Sequence, residues 1–475
     1  MLSVKSRTIC LLALLADEKK AYSEELEIKR NQNDICHFIK EYYKSMIQHL
    51  RNCYKKYEDR FSPKGIEVST YHTPVNFEEA MQCPIHRWLA YKEGFSPSFV
   101  KEFILKYSNS VEDVVFDPYG GVGTTVLSAN ELNRYAISLD VSPLGNFASE
   151  VKNASYNEED LAILKSTLHQ FSILEDFDGS DKYAISPTVV GYFAPITYVS
   201  IIKVKNFIED LNNSKVHNIF LLSLISLLES VSTHKKNGNG VKRKIYEPFP
   251  MTFTDLRDLL VKKIKVIISD IEGKNFISKN TIVRGSCLSF YILPKKADII
   301  ITSPPYANCF DYSKVYLVEL WMSGFFKTKE DQRQFREKSM ISHVHYQWKR
   351  HSKIAIPVID EVIVPLLQSK KLWSNRISQM IAGYFYDLYT CLKNLTNNIN
   401  DGAILGIVVG NPTYAGVVVA TDMILADIAT TLGYTCLGIQ IYRRVVPSSQ
   451  QTKLIEPEDQ KYVRESLVVL QWKKK

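Results

Sequence analysis

No stretch of this chain approaches the ~20 consecutive apolar residues that a bilayer-spanning helix needs, so a membrane protein is not expected. The nearest thing to a leader is Ile9–Ala16, which follows Lys5 and Arg7. Its apolar run is short, no small-x-small cleavage site follows, and Asp17, Glu18, Lys19 and Lys20 come next. It therefore reads as an amphipathic helix rather than a signal peptide. Cysteine is sparse: Cys10, Cys36, Cys53, Cys83, Cys287, Cys309, Cys391 and Cys436 include no CxxC pair and no Cys/His cluster at zinc spacing. No metal site is expected from them. A chain of 475 residues buries a large core without disulfide staples, so these are expected to be reduced thiols in a cytoplasmic protein. Internal repeats and low-complexity tracts are also missing, which excludes a solenoid or a disordered scaffold. An excess of one charge sign exists but is small, +8 from 59 Lys and Arg against 51 Asp and Glu. It fits a polyanionic partner without requiring one, because placement matters more than the sum.

What is present is an alternation of short apolar runs and helical periodicities. Residues 1–75 read as a helical region, with Ile35, Phe38, Ile39, Tyr42 and Met46 at helical spacing and Pro63, Gly65 and Pro74 breaking the pattern near its end. A helix over 97–108 precedes a strand at Val114–Phe116, a turn at Gly120, Gly121 and Gly123, and a helix from Thr124. A second strand, Tyr135–Leu139, ends at Asp140. This order starts a βαβ unit, and so a mostly parallel sheet with helices on both faces. The alternation stops over 151–275, which reads as a largely helical insertion and a candidate for target recognition. Strand signals resume at Thr281–Val283, Ala297–Thr302 and Ala403–Val409, with Tyr434–Tyr442 and Ser466–Trp472 as a closing pair. The expected class is α/β and Rossmann-like, in four parts: a helical region (1–75), a cofactor half (76–150), the insertion (151–275) and a catalytic half (276–475).

Phe116-Asp117-Pro118-Tyr119-Gly120-Gly121-Val122-Gly123-Thr124-Thr125 lies between the first strand and its helix. Glycines there let backbone approach a ligand, and the helix N-terminus offers unpaired N–H groups. No Lys-Ser/Thr follows Gly123, which disfavours a phosphate-cradling loop. Asp140 ends the next strand, where an acidic group accepts hydrogen bonds from ribose hydroxyls. Together they point to an adenosine-bearing cofactor; a tight turn and a helix cap are the plainer alternatives. Thr302-Ser303-Pro304-Pro305-Tyr306 follows the apolar strand Asp298–Ile301. Its prolines stop the ladder and stiffen a turn at the edge where open α/β sheets bind ligands. The turn presents a hydroxyl, a carbonyl and an aromatic ring.

These segments resemble motifs of the S-adenosylmethionine-dependent DNA amino-methyltransferases. Asp117 to Gly123 is similar to the cofactor motif Asp-Pro-Phe-x-Gly-x-Gly, with Tyr119 in place of Phe. Ser303 to Tyr306 is similar to the catalytic motif Asp/Asn/Ser-Pro-Pro-Tyr/Phe, whose Ser form is typical of cytosine-N4 enzymes and whose Asp form is commoner among adenine-N6 enzymes. His86-Arg87-Trp88 through Lys92 to Ser96-Pro97 resembles the motif at the cofactor's methionine end, and Arg284-Gly285-Ser286 the motif near its adenine. The resemblance covers residues 76–150 and 276–475. It implies a Rossmann-like methyltransferase fold that binds S-adenosyl-L-methionine. The implied cofactor residues are Lys92, Ser96, Asp117, Pro118, Tyr119, Gly120, Gly121, Gly123, Thr124, Thr125, Asp140 and Ser286. Ser303, Pro304, Pro305 and Tyr306 are the implied catalytic residues, with Tyr306 stacking on a base extruded from the duplex.

The activity so implied is methylation of cytosine N4 in double-stranded DNA at a short specific sequence, as in restriction–modification, with a cognate restriction endonuclease as partner. Adenine-N6 methylation, guanine-N2 methylation of tRNA or rRNA, and a non-catalytic nucleic-acid-binding subunit stay open. Cytosine C5 chemistry needs a Cys nucleophile, and Cys309 lies outside the turn and reads as structural. Two basic segments are candidate nucleic-acid contacts, a solvated face being the alternative for each. One holds Lys235, Lys236, Lys242, Arg243 and Lys244 around a Gly/Asn turn; the other is His343–Lys353, with Trp348, Lys349 and Arg350. His343 and His345 lack a third partner for a metal.

Overall fold

Strands β1 (Lys64–Gly65), β2 (Val115–Asp117) and β3 (Ala136–Asp140) come first, then a hairpin of β4 (His234–Asn237) and β5 (Gly240–Arg243). They are followed by β6 (Asn280–Arg284), β7 (Ala297–Thr302), β8 (Ile399–Gly410), the short pair β9 (Thr413–Tyr414) and β10 (Val417–Val418), β11 (Tyr434–Arg444) and β12 (Arg464–Trp472). This computed structural model describes residues 32–61, 64–65, 78–92, 94, 96–177, 187–274, 278–345, 354–445 and 453–474. Ile9–Ala16 and the segment holding Trp348, Lys349 and Arg350 lie outside them. Residues up to Arg51 form one unit, described only for the first part of the helix Gln32–Phe61, and residues from Asn52 form the other.

Eight strands make one sheet in the order β6-β3-β2-β7-β8-β12-β11-β1. Every neighbouring pair is parallel except those of β12, which runs antiparallel to both β8 and β11. The expected strands are all found, within a residue or two of their expected ends except for the longer β8. β7 reads Ala-Asp-Ile-Ile-Ile-Thr and is buried along nearly its whole length, as a parallel strand covered on both faces must be. Phe99, Val100, Phe103 and Ile104 of the helix Pro97–Tyr107 pack with Val126 and Ala129 on Val115, Ile299, Ile301 and Val408. The approach is close: a Cβ on Gly406 of β8 would lie 2.5 Å from the Phe103 ring. The chain winds β2, β3, β6 toward one edge and then returns, so that β7 pairs with the other side of β2. That reversal opens a crevice at the carboxyl ends of β2 and β7.

Between β3 and β6 lie the helices Glu158–Ser172, Pro195–Glu209, Ser214–Val231 and Phe253–Glu272, plus the β4–β5 hairpin. Asn157 with Asp160, and Thr252 with Asp255, form capping boxes that satisfy the orphan N–H groups opening two of them. These helices share one core with Leu127 and Phe147 of the cofactor half and with Phe310, Val315, Trp321 and Phe335 of the catalytic half. Ser214–Val231 is long and apolar enough by composition to cross a bilayer. Its apolar side chains, from Val216 to Val231, are buried in this shared core.

On the other side of the sheet Asp422, in the helix Thr421–Thr431, gathers three buried donors. Arg464 Nε and Ser466 Oγ of β12 each lie 2.8 Å from its Oδ2, and Asn411 Nδ2 lies 2.9 Å from Oδ1. Removing one partner of such a group strands the other's charge in the core. Asp422→Ala should therefore lower the unfolding free energy by about 3–5 kcal/mol, read as a shifted midpoint in urea denaturation. A loss below about 1 kcal/mol would mean that the cluster is hydrated in solution.

Candidate active site

β2 ends at Asp117 and its sheet neighbour β7 ends at Thr302. The Asp117 carboxylate, 2% exposed, collects three donors from three elements. Oδ1 accepts from Thr302 Oγ1 at 2.7 Å and from the Tyr119 N–H at 3.0 Å, and Oδ2 from Thr125 Oγ1 at 2.6 Å. Burial pushes this carboxyl up to about 6, against the pull of the Thr125, Thr302 and Tyr119 hydrogen bonds.

The glycine turn leaves no room for side chains. A Cβ on Gly120 would stand 1.8 Å from Ser138 Oγ of β3, and one on Gly123 2.3 Å from Ser149 Oγ. Gly123, at φ +81°, caps the helix Thr124–Glu131. Asp140 Oδ2 accepts from the Gly121 N–H at 2.8 Å and Oδ1 from the Ser142 N–H at 2.7 Å. Burial raises its carboxyl, opposed by the Ser142, Gly121 and Val141 backbone donors.

A cleft of about 940 Å³, counted to its open mouth, lies against these strand ends. Of the residues expected to act there, Asp117, Pro118, Tyr119, Gly120, Gly121, Thr124, Asp140, Ser286, Ser303 and Pro305 line it together. Gly123 and Thr125 stand behind the wall, one as a helix cap and the other as a donor to Asp117. Ser286 Oγ donates to the Lys338 carbonyl at 2.7 Å.

Four others lie off the cleft lining. Pro304 is buried beneath the turn. Tyr306 donates its hydroxyl to Glu465 Oε1 at 2.7 Å and lays its ring against Gly410, where a Cβ would sit 3.0 Å away. Ser96 caps the helix Pro97–Tyr107, accepting from the Phe99 N–H at 3.3 Å. Lys92 donates its backbone N–H to Tyr316 Oη at 2.6 Å and its Nζ to the Lys236 carbonyl at 3.3 Å. Cys309 is buried, with Sγ 3.4 Å from Tyr414 Oη, in keeping with a packing role.

The structure adds Tyr91, Asp311, Tyr312, Met340 and His343 to the cleft wall. Asp311 is 1% exposed and accepts from Ser313 Oγ at 2.6 Å, with Arg336 Nη2 at 2.9 Å. Burial works against its charge, but His343, Arg336 and Ser313 together hold the carboxyl below its ordinary range. Burial pushes His343 itself down to about 4, so at neutral pH the cation facing Asp311 is Arg336. His343 and His345 gather no metal set; among the described residues no cluster of three or more potential ligands occurs.

The first basic segment is ordered, not a free loop: β4 pairs with β5. Lys235 and Lys242 are exposed. Lys236 turns inward between Glu229 and Glu319, Lys244 Nζ donates to the Glu229 and Ser230 carbonyls at 2.9 Å, and Arg243 Nε donates to Glu247 Oε1 at 2.9 Å.

The raised Asp117 carboxyl has a measurable consequence. An aspartate titrates near 3.8 when unperturbed and here at about 6, so the folded state binds more protons between these values and its stability falls as pH rises through them. Relative to Asp117→Asn, the wild-type unfolding free energy should decline by up to about 3 kcal/mol from pH ~4 to ~6 and level off above. Urea unfolding across that range checks it. Hydrogen bonds lost in the variant add a constant offset, so the slope is the readout, and parallel curves would refute the assignment.

Residues 10–144 match the N6/N4 methyltransferase family model, described as DNA methylase. Type II methyltransferase M.AvaI of Nostoc sp. is 27% identical over 449 residues, covering 86% of this chain and 90% of the relative. Type II methyltransferase M.BsoBI of Geobacillus stearothermophilus is 26% identical over 444 residues, covering 81% and 86%. Among solved structures, the rRNA methyltransferase aviRa of Streptomyces viridochromogenes aligns over 85% of this chain and 88% of its own at 9% identity and a TM-score of 0.26, too remote to bear on function. With a glycine turn and a Ser-Pro-Pro-Tyr turn opening on one cleft at adjacent strand ends, the chain is similar to the amino-methyltransferases of the N4/N6 family, and its cofactor is S-adenosyl-L-methionine.

Proposed function

We propose that this protein methylates N4 of cytosine in double-stranded DNA at a short specific sequence, as the methyltransferase of a restriction–modification pair with a cognate endonuclease. The observation that carries the reading is the state of Ser303. Its side chain lines the cleft beside Asp117 and Gly121, and its hydroxyl makes no hydrogen bond to another described residue. It is an acceptor waiting for a donor. The Ser form of the turn favours cytosine N4, and the relatives' description as Type II methyltransferases supports a DNA substrate.

An exocyclic amine is a poor nucleophile, because its lone pair is delocalised into the ring. Ser303 Oγ and the Pro304 carbonyl would each accept one amine hydrogen, drawing the nitrogen toward tetrahedral geometry and freeing the pair. Pro304 and Pro305 fix the turn, so this arrangement needs no reorganisation during the reaction. S-adenosyl-L-methionine, when bound, would supply an electrophilic methyl carbon on a sulfonium whose sulfur retains the electron pair of the broken C–S bond as S-adenosylhomocysteine. The cleft fits that group chemically: Gly120 and Gly121 bring backbone to the wall, Asp140 suits ribose hydroxyls, and the anionic Asp311 suits a cation. Pro118, Tyr119, Thr124 and Ser286 complete the wall, held from behind by Asp117, Gly123 and Thr125. Lys92 and Ser96 act at one remove, through Tyr316 and the helix they cap. Tyr306, tethered by Glu465, is the ring on which the base would stack. No general base is required, since the product's surplus proton can leave to water.

Nucleoside mass spectrometry after incubation of duplex DNA and of RNA with labelled cofactor tests this. N4-methylcytosine from DNA is expected; N6-methyladenine would move the reading to the adenine enzymes, and methylguanine from RNA would overturn it. Ser303→Ala should lower kcat by about 10²–10³-fold and leave cofactor affinity unchanged in titration calorimetry. Asp140→Ala should do the reverse, weakening cofactor binding without changing which base is methylated.

A further inference from the structure

We propose that the β4–β5 hairpin and the apolar segment after it, Ile245–Phe249, form the surface that grips duplex DNA at the rim of the catalytic cleft. The inference rests on the DNA substrate proposed above. Ile245, Tyr246 and Phe249 are 83%, 88% and 91% exposed, the three most exposed large apolar side chains among the described residues. Folding gains nothing from them there. Pro248 and Pro250 flank Phe249 and restrict the backbone, so the segment is presented with little conformational freedom to lose on binding.

The hairpin beside it carries a second unexplained feature. Lys235 and Lys242 are directly paired across β4 and β5, both exposed, with no anionic partner among the described residues. Like charges opposite one another weaken a strand pair. Such a pair is expected where phosphates will neutralise it. The next residue, Lys236, faces the other way and locks the hairpin down between Glu229 and Glu319, over the Tyr316 ring. Tyr316 stacks on Tyr91 at 4.6 Å, and Tyr91 lines the cleft. At the tip, Asn239 Nδ2 donates to the carbonyl of Asn308 at 3.0 Å, just past Tyr306. The exposed lysines are thus held close to the catalytic turn, and Arg243, bonded to Glu247, joins the hairpin to the segment that carries the aromatics.

Duplex DNA is the occupant that both features fit. Its backbone meets the lysines, and apolar side chains enter a groove or the space vacated when a base leaves the stack. A second copy of this chain would bury the aromatics but leave the lysine pair unneutralised.

The test measures binding of the full-length protein to a short labelled duplex of mixed sequence by fluorescence anisotropy, over a range of KCl. Lys235→Gln with Lys242→Gln should flatten the slope of log Kd against log salt by about 2. Tyr246→Ala with Phe249→Ala should weaken binding on the order of tenfold and leave that slope unchanged. Both variants should keep wild-type cofactor affinity, which controls for folding. Unaltered DNA binding by both, with the wild type methylating DNA, overturns this surface while sparing the activity. A change of oligomeric state in light scattering with unaltered DNA binding overturns it in favour of a second copy. A wild type that neither binds nor methylates duplex DNA brings down the proposed function and this surface with it.

Discussion

Asp117 must stay where it is for the site to exist. Its carboxylate is the meeting point of the Thr125 hydroxyl, the Tyr119 N–H and the Thr302 hydroxyl. The first two belong to the cofactor turn and its helix; the third is the residue before Ser303. Residues 185 apart in sequence are thereby held to a hydrogen bond's tolerance. Burying a carboxylate is costly unless its oxygens are satisfied, and three converging donors offset that cost only in this one arrangement. Methyl transfer by alignment, with little acid–base chemistry, depends on such tolerance, since sub-ångström misplacement erodes the benefit of holding reactants together.

The second constraint is the shared core of the insertion. More than a hundred residues separate β3 from β6, yet they do not hang from the sheet as a separate body. Their helices pack with Phe147 on one side and with Val315, Trp321 and Phe335 on the other. The Glu229–Lys236–Glu319 group, in which Lys236 and Glu319 are buried, then sets where the hairpin lies. An apolar trio of similar volume would serve stability as well or better. What the ions add is a register: only Lys236 inward, with Lys235 outward, satisfies both glutamates.

The sheet and its two turns were legible because local chemistry writes them. β7 closes on an unbroken β-branched run, Ile299–Thr302, and Pro304–Pro305 and the three glycines mark where strands must end. The added wall residues left no such trace. Asp311 has local meaning as a cap of Ser313; its second role comes from Arg336 and His343, brought near by helix packing that no spacing encodes. Lys92 and Ser96 lie off the cleft lining for a related reason. Their motif pattern is compatible with a cofactor contact, but their hydrogen bonds go to Tyr316 and Phe99. In the basic 234–244 stretch, Gly238, Asn239 and Gly240 mark a turn, but the cations around them do not show which way each side chain points. Only its strand pairing, with a period of two, separates the exposed lysines from the buried one.

The one reversed strand, β12 between β8 and β11, serves the catalytic turn. A parallel β12 would begin at the amino ends of its neighbours, far from the catalytic turn. Running the other way, it begins at their carboxyl ends, and Glu465 lies opposite Gly410. Gly410 is the residue against which the Tyr306 ring packs, and Glu465 is the group that accepts the Tyr306 hydroxyl. Arg443 of β11 donates in turn to the other Glu465 oxygen at 2.6 Å. Strand direction, a missing Cβ and a buried carboxylate thus act on one aromatic ring, and each is required because the others are present. A side chain at 410 would displace the ring, and a parallel strand would leave its hydroxyl without an acceptor.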